Sequence, residues 1–149
     1  MTDVQDMLEL TRVLNAPREK VWQAWTDPEI LARWWWPVRF QTVYEVDLRV
    51  DGHYAFRTPD LPDMGILAVT GTYLEVRPPE RLVYTWQWEG EGEPPTQVTI
   101  GFLARGDQTE VRITHQGFSG EGERANHLTG WQDCLTRLES LVAGSPPDA

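Results

Sequence analysis

One cysteine, three histidines and few basic side chains are what this sequence has little of, and each scarcity closes off a class of function. Cys134 alone makes an internal disulfide or a cysteine-rich zinc site unavailable, and the residue reads as a small buried hydrophobe on a helix. Of the histidines, His53 falls on the outward parity of its strand. His115 and His127, with no inward carboxylate nearby, make a poor metal site, so no metal is expected. Cys134 and His127 lie on one helix face but too far apart for direct contact, which disfavours a nucleophilic pair. Lys and Arg number 13 against 23 Asp and Glu, a formal charge of -10, and the basic residues are scattered. Binding to nucleic acid or to an anionic membrane needs a basic surface and is not expected. The acidity suits solubility, with a positively charged protein partner left open.

Long apolar runs are missing too. None approaches the ~20 residues of a bilayer span, and residues 1–10 are acidic, unlike a signal peptide, so a cytoplasmic location is expected. Gly90, Gly92 and the Gly117, Gly120, Gly122 spacing fit no phosphate-cradling fingerprint, and no cofactor is implied. At 149 residues and 40% hydrophobic, with no repeat or linker, residues 1–149 read as one domain with a frayed tail at about 144–149.

What the chain has in quantity is tryptophan. Five of its 8 lie within residues 14–36, where two helix starts stand back to back, each with Pro (Pro17 and Pro28) at the first helical position. Asp27 is a natural N-cap for the second. Both helices must be short, and their apolar faces (Val21, Trp22, Ala24, Trp25, then Ile30, Leu31, Trp34) gather a heavy aromatic load at one corner.

After the tryptophans the period changes to two. Residues 39–48 alternate as a strand with Phe40, Tyr44, Val46 and Leu48 on its buried side, and Tyr54 and Phe56 continue the pattern past Gly52. A three-residue loop of Val50, Asp51 and Gly52 pairs Leu48 with Tyr54 and Val46 with Phe56, with Gly52 in the left-handed position of a bulged hairpin. Further strands are expected over 66–76, over 81–88 with Leu82, Tyr84, Trp86 and Trp88 on one face, and around Val98 to Ala104 and Val111 to His115. A first strand, around Met7 to Leu14, precedes the helices. From about Gly122 to Ala143 the period is helical again, with Leu128, Trp131, Leu135, Leu138 and Val142 on one stripe. A long twisted sheet curls, and its concave face is where such a helix buries its stripe.

In this order the residues resemble a known family. Ala16-Pro17 with Val21-Trp22, Thr26-Asp27-Pro28-Glu29 before Trp34-Trp35, Asp47-Leu48-Arg49 with Gly52, Pro78-Pro79-Glu80-Arg81-Leu82 before Thr85-Trp86, and Gly130-Trp131 with Leu135 and Leu138 are similar to the START-like (SRPBCC, Bet v-like) helix-grip superfamily. The likeness is to the branch related to the activator of heat-shock-protein-90 ATPase, and it spans residues 8 to 142. Asp51 departs from the pattern, since many relatives carry a second glycine there. The resemblance implies an α+β helix-grip fold: a curved antiparallel sheet of about seven strands wrapped around a long C-terminal helix, with two short helices after strand 1. It also implies a deep pocket between sheet and helix.

By parity, the inward candidates for ligand contact are Tyr44, Tyr54, Phe56, Trp86, Trp88, Phe102, His115, Phe118, His127 and Trp131, with Phe40 beside them and Trp34, Trp35 and Trp36 near the mouth. An aromatic wall with a few polar tips suits a flat, mostly apolar molecule. The leading expectation is a carrier or sensor of a small apolar or aromatic ligand. A chaperone-activator-like protein-interaction module is the alternative, and a polyketide-cyclase-like enzyme using His115 and His127 is a second. No catalytic residue is assigned, and a protein partner and a homodimer stay open.

Overall fold

The computed structural model describes residues 7–90, 92 and 94–142; the tail expected at 144–149 lies outside them. The elements run β1 (Met7–Leu14), α1 (Arg18–Thr26), α2 (Pro28–Trp34), a 3-10 turn (Val38–Phe40), β2 (Val43–Val46), β3 (His53–Arg57), β4 (Ala68–Arg77), β5 (Arg81–Trp88), β6 (Thr96–Arg105), β7 (Gln108–Gln116) and α3 (Glu121–Val142). The strands form one antiparallel sheet in the order β1-β7-β6-β5-β4-β3-β2. The chain is a meander except that β1 joins the far edge beside β7, which closes the curved sheet around α3. This is the α+β helix-grip architecture. Arg124 Nε donates to the Met7 carbonyl at 2.6 Å and Arg12 pairs with Glu139, so α3 is tied to the β1 edge at both ends.

Local sequence explains the corner where the helices sit. Asp27 caps α2 by accepting from the Glu29 N–H at 2.9 Å, with Pro28 as the first helical residue. Pro17 does not begin α1 from inside. It stands one position earlier, in extended conformation (φ -70, ψ 159), and Arg18 opens the helix. The β1–α1 junction is fastened instead by the Thr109 hydroxyl, which donates to the Ala16 carbonyl at 2.7 Å in a buried position.

The segment 39–48 is not one strand. Residues 38–40 wind into a 3-10 turn after Pro37, Gln41 ends it in the left-handed region (φ 56), and only Val43–Val46 pair as strand. The hairpin that follows has a longer loop than expected. Val46 faces Tyr54 and Tyr44 faces Phe56, so each pairing is displaced by two residues. A two-residue shift leaves every side chain on its predicted face, which is why Tyr54 and Phe56 still point inward. The loop is longer because it continues the ladder with β4: Asp51 N–H donates to the Tyr73 carbonyl at 2.8 Å, and Tyr73 N–H to the Gly52 carbonyl at 2.9 Å. Asp51, not Gly52, takes the left-handed conformation (φ 70), a region that glycine enters without strain. Gly52 serves close approach, since a Cβ would fall 2.1 Å from the Asp47 carbonyl oxygen.

Candidate functional site

The inner aromatics sort into three groups by what surrounds them. Trp22, Trp25, Trp34 and Phe102 pack edge to face at 4.9–5.6 Å and are almost fully buried. The Trp34 indole N–H donates to the Ala24 carbonyl at 2.8 Å. Phe102, expected to contact ligand, lies in this solid core because β6 faces α1 there.

A second group, Tyr54, Tyr73 and Tyr84 with Phe56, surrounds a void of only about 10 Å3, the size of one water. The Tyr54 ring crosses Gly71, its direct partner on β4, and its hydroxyl donates to the Thr85 carbonyl at 2.5 Å. A Cβ on Gly71 would strike that carbonyl oxygen at 2.0 Å and the Tyr54 ring at 2.5 Å. Burial raises the Tyr54 and Tyr84 hydroxyls well above their ordinary range. Tyr54 and Phe56, also expected at a ligand, are therefore packing residues. Tyr44 is half-buried against Phe56 and accepts from the Trp36 backbone N–H at 3.2 Å; burial, the largest cause, pushes its hydroxyl up to about 12.

The third group leaves space. Between the end of α2, β5 and α3 lies a cavity of about 360 Å3 walled by Trp35, Trp36, Phe40, Trp86, Trp88 and Trp131. Trp36 and Trp88 lie parallel (10°) with centroids 6.0 Å apart, while Trp35 meets Trp131 edge-on at 5.2 Å. The polar rim comes almost entirely from one face of α3: Asn126, His127, Asp133 and Arg137. Behind Trp86 and Trp88 a second cavity, about 270 Å3, reaches Phe118 and shares Trp86, Trp88, Asn126 and His127 with the first. A wider hollow on the outer face of the sheet, where His53 stands exposed, is lined mainly by polar and small residues such as Thr70, Thr72 and Thr85, with Tyr54 as its one phenol ring.

Hydrogen bonds assign the histidines their roles. His115 is fully buried, accepts from the Trp131 indole N–H at Nδ1 (3.1 Å) and meets the Thr96 hydroxyl at Nε2 (2.6 Å). That hydroxyl donates onward to the Trp86 carbonyl at 3.1 Å, so Nε2 carries the imidazole proton. Burial, helped by the neighbouring His127, holds His115 down to about 3. It is a neutral strut whose two nitrogens are both used, and it lines neither cavity. His127 does line them. Its Nδ1 lies 2.7 Å from the Glu123 carbonyl, to which only an N–H can bond, and its Nε2 accepts from the Trp88 indole at 3.0 Å. The Trp88–His127 bond thus crosses from sheet to helix between the two cavities.

The structure adds Asn126, Asp133 and Arg137, which sequence reasoning passed over, and gives Cys134 a partner. Arg137 donates from Nε to the Trp34 carbonyl (2.8 Å) and from Nη2 to the Trp35 carbonyl (2.6 Å), where the C-terminal end of α2 leaves carbonyls unpaired. Cys134 donates its thiol proton to the same Trp35 carbonyl at 2.9 Å, and burial pushes the thiol up to about 12, which makes it inert. The signal was in the helical period: Asn126, Gly130, Asp133 and Arg137 follow one another at steps of three and four beside the apolar stripe, with Cys134 four residues after Gly130. The indole N–H groups of Trp25, Trp35 and Trp86 are buried without an acceptor among the described residues, and none of the three opens onto a surface. Among the described residues no group of three or more His, Cys, Asp or Glu is placed to hold a metal ion, and no helix is long and apolar enough to cross a membrane.

A long helix gripped by a curved antiparallel sheet, with an aromatic cavity between them, defines a helix-grip protein. The chain belongs to the Activator of Hsp90 ATPase homolog 1-like family, whose model matches residues 15–143. Among solved structures it is similar to protein CV1439 from Chromobacterium violaceum, at 32% identity and a TM-score of 0.80, covering 92% of this chain and 96% of that one. It is similar also to CalU16 from Micromonospora echinospora (25% identity, TM-score 0.73, covering 93% and 76%). An HSP90 activator from Plasmodium falciparum, 24% identical with a TM-score of 0.72 over 92% and 96%, shares the fold. Among curated proteins none matches the chain.

Proposed function

We propose that this protein binds a small, flat, apolar or aromatic molecule in the cavity between β5, the end of α2 and α3. The observation that carries the reading is a space of about 360 Å3 whose walls include five tryptophans, in a molecule whose other aromatic clusters are packed solid. The volume lies in the range of small-molecule sites, and the composition, an aromatic wall with few polar tips, is theirs as well. Within that reading Trp35, Trp86, Trp88, His127 and Trp131 contact the ligand, and Phe118 contacts it only where it extends into the rear cavity. An enzyme is disfavoured because His115 and His127 spend both ring nitrogens on the fold.

The test is fluorescence titration of the purified protein with 1-hydroxypyrene. Saturable quenching is expected, weakened about tenfold or more by Trp86→Ala. Absence of saturable quenching across planar probes of several sizes sinks the proposal. Turnover of a ketone, ester or polyketide-like substrate that a His115→Gln/His127→Gln double variant loses by orders of magnitude would replace it with an enzyme.

A further inference from the structure

We propose that Gly130 is a specificity-determining position of the cavity: a flat ligand lies with one face on the bare backbone of α3 there, and the missing side chain sets how large that ligand can be. The inference rests on the binding role proposed above. Gly130 sits in the interior of a 22-residue helix, where glycine is less favourable than alanine because it surrenders more backbone freedom on folding. Such a choice needs a reason, and the protein itself supplies none. Its backbone is not in the left-handed region, and a Cβ built on it meets nothing within 4 Å. Gly71 and Gly52 are the opposite case, for there a Cβ would collide with backbone at 2.0 and 2.1 Å. Openness alone is no argument, because Gly122 on the same helix is equally open and, like Gly130, exposed. Among the described glycines Gly130 alone joins openness to a place on the cavity wall, between Asn126 and Cys134 on the helix face that lines it with Trp35, Trp86 and Trp88. A side chain at 130 would project into the space the ligand needs, whereas glycine lets an aromatic ring approach to van der Waals contact with the helix.

The test compares two probes, 2-naphthol and 1-hydroxypyrene, on wild type, Gly130→Ala and Gly130→Leu. Alanine should raise the melting temperature by about 2–4 °C through helix propensity while weakening 1-hydroxypyrene binding at least threefold. Leucine should weaken 1-hydroxypyrene by tenfold or more and 2-naphthol by less than about threefold. Stability and affinity moving in opposite directions is a result that a merely structural glycine would not produce. If wild type binds both probes and both variants bind them unchanged, Gly130 is not a contact, and this inference falls while the cavity reading stands. Equal losses for the two probes remove the size selection. If wild type binds neither, the cavity reading fails and takes this one with it.

Discussion

Two ends of the same grip are built from the same kind of residue and behave differently. At the closed end, Trp22, Trp25, Trp34 and Phe102 fill the space between the short helices and β6, with ring centroids 4.9–5.6 Å apart. At the open end, Trp35, Trp36, Trp86, Trp88 and Trp131 surround about 360 Å3. Aromatic content does not separate the two. What separates them is the partner layer: α1 and α2 supply side chains that interdigitate with the sheet, whereas α3 presents Asn126, Gly130 and Asp133, too short or too exposed to fill the gap. A cavity is left where the helix withholds volume, and the large rings mark only its walls.

The sharpest way to break that comparison is to truncate one tryptophan at each end. Trp34 is fully buried and hydrogen-bonded to the Ala24 carbonyl, so Trp34→Ala should cost about 3–5 kcal/mol in urea unfolding, the transfer term plus an unrelaxed cavity. Trp88 is half-buried beside space that already exists. Trp88→Ala should cost about 1–2 kcal/mol, because little new cavity is made, while planar-probe binding falls. Equal stability losses would show that the open end is as tightly packed as the closed one.

Between the two ends stands His115, and pH sharpens the contrast there. Buried and held down to about 3, it stays neutral in the folded protein while the unfolded chain takes up a proton near pH 6.5. Its contribution to stability is therefore complete above about pH 6.5 and is lost progressively as pH falls toward 3. At pH 5 the loss is about 2 kcal/mol, from some 1.5 units of the linkage slope. Urea midpoints between pH 7 and 5 should fall steeply for wild type and little for His115→Gln. Matching slopes would mean that His115 does not carry the acid sensitivity.

Much of the fold could be read from the chain, and the reasons are particular. Period two over 81–88 put Leu82, Tyr84 and Trp86 inside, and Asp27 with Pro28 marked the start of α2, because those signals are local. The 39–48 segment misled because Gln41 adopts a left-handed conformation (φ 56) that an unremarkable alternating pattern conceals. The hairpin register depended on hydrogen bonds from its loop to Tyr73, a contact beyond the reach of hairpin rules. For the site, parity told inside from outside but not filled from empty. Tyr54 and Trp86 share the inward face, yet one lies across Gly71 as packing and the other walls the cavity. Arg137 went unread because its partners, the Trp34 and Trp35 carbonyls, are backbone atoms about a hundred residues away.

The smallest effect concerns what holds the open end in shape. The Trp88 indole donates to His127 Nε2 at 3.0 Å across the mouth between the two cavities, and His127 is held in the accepting tautomer by the Glu123 carbonyl. His127→Leu keeps an apolar body against Phe118 and Trp88 but removes the acceptor. The freed indole N–H is half-buried and can turn to water, so the stability cost should be only about 0.5–1.5 kcal/mol. A double-mutant cycle with Trp88→Phe isolates the bond from the packing, with an expected coupling of about 1 kcal/mol. Tryptophan emission of His127→Leu should move to longer wavelength as Trp88 gains water. A coupling near zero, with unshifted emission, would show that the wall of the open end stands by ring packing alone, unlike the closed end, where the Trp34 indole is bonded to the Ala24 carbonyl.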